Sequence, residues 1–226
     1  MSSKKKVAIV DYKLGNLFSV KQACVFLGME AEITTDKDLL SKADFLILPG
    51  VGAFGEAMHN LNSLDLVSPI HDYIASGRPF MGVCLGLQLL FSESEEFGST
   101  RGLNLIPGVI KKFKTSDLDG NVLKVPQIEW NKIYETGANK WKDSPLVSCK
   151  SGDYMYFVHS YYVQPESGDS ILSNTTYGGF SYCSSIINEN IFACQFHPEK
   201  SGLHGVEIYK NWFSKQYINA SSESAT

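Results

Sequence analysis

Residues 81–91 read Met81-Gly82-Val83-Cys84-Leu85-Gly86-Leu87-Gln88-Leu89-Leu90-Phe91. An apolar strand runs into Gly-x-Cys-x-Gly, and a helical pattern starts at once. This is the strand–turn–helix setting in which a nucleophile is lifted into a site, with cysteine where hydrolases more often carry serine. Small residues at Gly82 and Gly86 let the chain turn tightly and leave the Cys84 side chain exposed. The turn also aims N–H groups of the helix start at the sulfur, which favours thiolate over thiol. The segment therefore predicts an enzyme on an α/β fold, without saying which acyl group Cys84 attacks.

Working outward, the first half alternates strands and helices. Val7–Asp11, Ala31–Thr35, Phe45–Leu48 and Pro79–Val83 read as short buried strands. Leu17–Leu27, Phe54–Leu61 and Pro69–Ser76 carry helical spacing, with Gly28 as a stop. Such alternation implies crossover connections and a parallel sheet, whose sites lie beyond the strands' carboxyl ends. Pro49-Gly50-Val51-Gly52 and Cys84 both fall at such ends. After Leu103 the texture changes to aromatic and β-branched runs. Gly108–Phe113, Val122–Val125, Tyr154–Val163, Tyr177–Cys183 and Ile191–Gln195 predict a strand-rich, partly antiparallel half on the same core. Val206–Tyr217 reads as a closing helix and 220–226 as a frayed tail, giving one domain over 1–219. The charges of Asp36–Lys42 and Glu93–Glu96 read as solvated helix ends.

Composition narrows the class. The 226 residues are 43% hydrophobic and 19% charged, which suits a chain that buries about 70% of its unfolded surface. A formal charge of −4 argues against nucleic acid as the main partner. No apolar run approaches the ~20 residues that span a bilayer, and Asp11 interrupts the only apolar stretch near the start, so a cytoplasmic location is expected. Cys24, Cys84, Cys149, Cys183 and Cys194 form no Cys-x-x-Cys and no cysteine–histidine cluster. Neither a disulfide framework nor a metal site is expected, and no cofactor is called for.

A cysteine nucleophile needs a base and a group to orient it. His59 and His71 fall on helical stretches, His204 in a glycine-flanked turn, and His159 inside an aromatic strand as a packed scaffold residue. His197 differs: it leaves the apolar run Ile191–Phe196, Pro198 bends the chain, and Glu199 follows. An extended local backbone would turn His197 and Glu199 toward one site, where the carboxylate holds the imidazole tautomer. Pro49–Gly52 reads either as a plain turn or as a source of N–H groups for an oxyanion.

With these residues in place, the chain resembles the class I glutamine amidotransferases, which use a Cys-His-Glu triad. GVCLGLQ (Gly82–Gln88) and FHPE (Phe196–Glu199) carry the wider family. DYKLGNLFSV (Asp11–Val20), LPGVGAF (Leu48–Phe54), YFVHSY (Tyr156–Tyr161) and HPEKS (His197–Ser201) are similar to the HisH type, the glutaminase subunit of imidazole glycerol phosphate synthase. The similarity runs from Lys5 to Tyr217.

The resemblance implies a central, mostly parallel sheet flanked by helices with an additional antiparallel region. It implies hydrolysis of L-glutamine to glutamate and ammonia, with Cys84, His197 and Glu199 as the catalytic set. Gly52 and the N–H of Leu85 would hold the oxyanion, and Gly50, Gln88, Glu96, Ser160 and Tyr161 would contact glutamine. Ammonia would pass to a (β/α)₈-barrel synthase subunit of the HisF type, met through Asn16, Trp130, Tyr156 and Lys200, and hydrolysis would stay nearly silent without that partner.

Lys13 and Glu129 stand where the family usually carries glycine. They leave open an alternative in which the ammonia feeds amidination of a bacterial surface sugar. Another cysteine amidohydrolase, such as a peptidase, or a non-catalytic subunit are the competing readings.

Overall fold

The computed structural model describes residues 4–214. The predicted tail at 220–226 and the last part of the predicted closing helix lie outside the described residues.

The chain begins with β1 (Lys6–Val10), α1 (Leu17–Phe26), β2 (Glu30–Thr34), α2 (Lys37–Lys42), β3 (Phe45–Gly50), α3 (Phe54–Ser63), α4 (Val67–Ala75), β4 (Phe80–Cys84) and α5 (Leu85–Leu89). It continues through β5 (Phe91–Ser94), β6 (Thr100–Arg101), β7 (Ile106–Lys112), β8 (Gln127–Lys132), β9 (Tyr134–Glu135), β10 (Tyr154–His159) and β11 (Tyr161–Pro165). It closes with β12 (Ile171–Tyr177), β13 (Phe180–Asn188), β14 (Ile191–Cys194), a 3₁₀ turn at Pro198–Lys200, and α6 (Gly202–Ser214).

One sheet carries the architecture, in the order β2-β1-β3-β4-β14-β13-β11-β7-β5-β6. The run from β2 to β14 is parallel throughout. From β14 onward most pairings are antiparallel, with β5 parallel to β7. This is the expected α/β class. Parallel strands wrapped by helices must be apolar on both faces. Accordingly β3 and β4 are buried at every residue. One core face packs Leu46, Leu48, Phe54, Ile70 and Phe80. The other packs Phe45, Ile47, Met81, Phe192 and Trp212.

Several expectations need correction. Glu93–Glu96 is not a helix end. The chain enters β5, where Phe91 and Ser94 are buried and the strand pairs with β6 and β7. Lys37–Lys42 is a short helix of its own, capped by Asp36, whose carboxylate accepts from the N–H groups of Asp38 and Leu39. Val122–Val125 is not a strand: only Val122 bridges, to Ser116. Tyr154–Val163 is two strands in two sheets, β10 pairing with β8 and β11 with β7 and β13. Tyr177–Cys183 spans the Gly178–Gly179 turn of the β12–β13 hairpin, where both glycines have positive φ. Pro49 and Gly50 belong to β3, not to a turn.

Candidate active site

Strands β3, β4 and β14 are neighbours in the sheet, and the carboxyl ends of β3 and β4 open on a cavity of about 240 Å³. Val51 and Gly52 line it from beyond β3, Cys84, Leu85 and Gln88 from the elbow, Glu96 from beyond β5, and Val158–Tyr161 from the β10–β11 junction.

Cys84 closes β4 with φ +54° and ψ −106°, a conformation that a side-chain-bearing residue rarely holds. Two glycines permit it. A Cβ on Gly86 would lie 1.7 Å from the Leu48 carbonyl oxygen, and one on Gly82 would lie 2.9 Å from the Gly86 oxygen. The thiol is only 4% exposed, so it faces the cavity and not bulk solvent as the sequence suggested. Nor does the sulfur cap α5, since Cys84 makes no side-chain hydrogen bond to the first turn. Its neighbours are the Gln195 amide, whose Nε2 donates at 3.5 Å, and the Val158 carbonyl at 3.9 Å.

His197 follows β14, is 2% exposed, and places Nδ1 2.7 Å from Glu199 Oε1. The backbone between them is not extended as expected. Pro198–Lys200 is a 3₁₀ turn, which curls the carboxylate back beneath the ring. Burial pulls the imidazole pKa down, but the facing Cys84 and the Glu199 carboxylate outweigh burial and push it up to about 10. Its other ring nitrogen, Nε2, is buried as well. The pair matches an acid–base residue with its orienter.

Burial pushes Cys24, Cys149 and Cys183 up to about 12, and Cys194 well above its usual range. They stay protonated. His159 is the scaffold residue expected: its Nδ1 bonds the Tyr161 carbonyl at 2.8 Å, its Nε2 meets the Tyr182 hydroxyl at 3.2 Å, and burial lowers it to about 4. His59 is exposed on α3, while His71 on α4 is only partly exposed. His204 is exposed in the first turn of α6, not in a loop, with Nδ1 3.4 Å from Asp153.

The remaining cavity residues carry internal tasks as well. Gln88 donates through Nε2 to the Tyr161 carbonyl and to Gln195 Oε1, each at 3.0 Å. Glu96 Oε2 accepts the Phe54 N–H at 2.6 Å and so caps the N-terminus of α3. Ser160 lines the wall and its carbonyl accepts the Phe113 N–H. Gly50 does not line the cavity. It is buried beneath it, in register with Cys84, and the Tyr12 hydroxyl leaves no room for a Cβ. Gly52, at φ +117°, is the glycine that the turn requires.

Trp130, Tyr156 and Lys200 form one half-exposed cluster beside the site. Trp130 and Tyr156 are register partners with ring centroids 6.1 Å apart, Lys200 Nζ lies 5.6 Å from the Tyr156 ring, and that ring is 6.5 Å from His197. Asn16 sits at the start of α1, which packs against the Pro198–Lys200 turn. Lys13 holds φ +69°, a glycine-like conformation. Glu129 lies within β8 without positive φ, accepting from Gln127 and Asn131, so no glycine is needed there. Among the described residues no histidine, cysteine and carboxylate group could hold a metal ion.

Sequence reasoning missed Gln195, which is fully buried between Gln88 and Cys84. The signal was present: Gln195 is a polar residue inside an apolar run, two positions before His197, and strand periodicity puts both on one face.

The chain is 44% identical over 208 residues to the imidazole glycerol phosphate synthase subunit HisH of Syntrophotalea carbinolica, covering 91% of this chain and 98% of that one. It is 43% identical over 211 residues to the subunit of the same name from Aquifex aeolicus, covering 93% and 97%. Among solved structures, a putative GMP synthase subunit from Thermoplasma acidophilum superposes with a TM-score of 0.68 at 18% identity, over 99% of this chain and 98% of that one. The structure of PurLQS from Thermotoga maritima gives 0.70 at 17% identity, over 94% and 99%. These two show the shared fold alone. Residues 8–216 match the family described as glutamine amidotransferase class-I, and the chain belongs to that family.

Proposed function

We propose that this chain is the glutaminase subunit of an imidazole glycerol phosphate synthase, releasing ammonia from L-glutamine for a barrel-shaped HisF-type subunit. One observation carries the chemistry: a buried His197, held by Glu199 at 2.7 Å and raised to about 10 by its neighbours, beside an elbow cysteine.

The Cys84 thiolate attacks the glutamine carboxamide carbon. The oxygen takes up the electron pair, and N–H groups of Gly52 and Leu85 stabilise it. His197 gives its proton to the departing nitrogen, ammonia leaves, and a glutamyl thioester remains. Water then attacks the thioester as neutral His197 takes its proton, which releases glutamate and restores the sulfur. Gln88, Glu96, Ser160 and Tyr161 hold the glutamine, and Gly50 acts from beneath, by keeping the Val51–Gly52 segment in place.

The Trp130–Tyr156–Lys200 cluster, with Asn16, is the docking face for the partner. Large aromatic anchors beside a cation suit such a face. The relatives at 43–44% identity are named for imidazole glycerol phosphate synthase, which favours histidine biosynthesis in the cytoplasm over amidination of a surface sugar.

The test is glutamate release from glutamine by the chain together with its barrel subunit. Cys84→Ala should reduce it to background. Hydrolysis by Cys84→Ala at the parent rate would overturn the reading.

A further inference from the structure

Gln195 is buried completely, yet its side chain lies between two groups of the cavity. The direction of its amide follows from its neighbours. Gln88 Nε2 lies 3.0 Å from the Tyr161 carbonyl, which only accepts, so nitrogen and not oxygen must point there. The second hydrogen of that nitrogen meets Gln195 at 3.0 Å, so the Gln195 oxygen must face Gln88. The Gln195 nitrogen is then left to face Cys84, with Nε2 3.5 Å from Sγ. A backbone carbonyl thus fixes Gln88, Gln88 fixes Gln195, and Gln195 aims an N–H at the sulfur.

We infer that Gln195 is a positioning residue that holds the Cys84 sulfur as a thiolate and in place through a donated hydrogen bond. The inference rests on Cys84 being the nucleophile. An amide N–H stabilises sulfur that carries charge more than neutral thiol. It cannot take a proton from that sulfur, so His197 keeps the acid–base role alone. The bond also ties the nucleophile to Gln88, a wall of the cavity.

The other groups that act on the sulfur electrostatically are the His197 imidazole, the Tyr12 hydroxyl and the Cys194 thiol. Glu199 bonds the far nitrogen of His197, and Glu96 and His159 line the same cavity. Of the side chains around Sγ, Gln195 presents an amide N–H to it at 3.5 Å, beside the imidazole of His197.

The test is the rate of Cys84 alkylation by iodoacetamide against pH, read by peptide mass mapping so that the other four cysteines do not interfere. Gln195→Glu keeps size and the acceptor for Gln88 but sets a like charge against the thiolate. The pH midpoint of alkylation should rise by at least about one unit. Gln195→Met removes the donor without adding charge. It should slow alkylation at pH 7 by about tenfold, and it carries the test if the glutamate variant fails to fold. A residue that only packed would leave the pH midpoint where it is. Folded variants whose midpoints stay within about 0.3 units of the parent would overturn the inference. Alkylation needs no glutamine, so shifted midpoints beside a parent that releases no glutamate with its barrel subunit would count against the proposed substrate and not against this inference.

Discussion

Gly50→Ala should destabilise the protein, and Tyr12→Phe should partly repair it. Gly50 has ordinary φ, so the constraint is space and not backbone conformation. A Cβ there would stand 1.8 Å from the Tyr12 hydroxyl oxygen, 3.1 Å from Tyr12 Cζ and 3.0 Å from Leu85 Cβ. Since van der Waals contact needs about 3.5 Å, ring and strand must part by over 1 Å. Tyr12 is fully buried and has nowhere to swing. Overpacking a closed core costs about 1–3 kcal/mol, and a clash this deep belongs near the middle of that range or above it. Removing the hydroxyl takes away the worst contact and leaves the two near 3 Å, which need only a small adjustment. The double variant should therefore recover about 1 kcal/mol relative to additivity, within the usual range for residues in contact. Urea unfolding of the four proteins of the cycle measures it. A coupling below about 0.5 kcal/mol would refute the steric argument. The same variants should lose glutamine hydrolysis in step with the strain, because Gly50 is in register with Cys84 and leads into Gly52.

The His197 pKa, raised from 6.5 to about 10, makes the folded chain bind more protons than the unfolded one between those values. Its stabilising contribution is complete below pH 6.5 and falls as pH rises towards 10. Unfolding midpoints from pH 6 upward should decline more steeply in the parent than in His197→Asn, and equal slopes would count against the buried cation. Lys13 holds a positive φ that costs an L-residue about 1–2 kcal/mol, partly offset by the greater unfolded entropy of glycine. Lys13→Gly should thus raise stability slightly, by about 0.5 kcal/mol, and a loss on thermal unfolding would show that the lysine side chain does more than tolerate its backbone.

The parallel half of the fold was legible because burial on both faces leaves short unbroken apolar runs such as Phe45–Leu48, preceded by Asp44 and followed by proline and glycine. The antiparallel half was less so. β8 was missed because its apolar residues Ile128 and Trp130 are exposed while Gln127 is buried, the reverse of a simple core strand. In β12, Ser173 and Thr175 are buried, and Ser173 bonds the hydroxyls of Ser184 and Ser185, so polar letters stand where hydrophobic ones were expected. The break at Ser160, where the chain leaves one sheet for another, has no proline or glycine to mark it. Of the site, Cys84, His197 and Glu199 announce themselves by local spacing. Gln195 and the internal duties of Gln88 and Glu96 depend on partners about 40 to more than 100 residues away, which periodicity alone does not reveal.

That distance bears on how the site is secured. The elbow conformation of Cys84 costs about 1–3 kcal/mol and persists only if its surroundings over-determine it. Gly86 against the Leu48 carbonyl and Gly82 against Gly86 lock α5 onto β3 and β4, which fixes the backbone on one side. On the other side, β4 pairs with β14, bringing Gln195 and His197 to the sulfur from more than 100 residues further along the chain. The strained residue is thus clamped by a local contact and a long-range one, and neither supplies the chemistry alone. Until β14 joins the sheet, Cys84 lacks the His197 imidazole, the Gln195 amide and half of its support. The order of strands that completes the sheet is the same order that brings together the residues of the proposed active site.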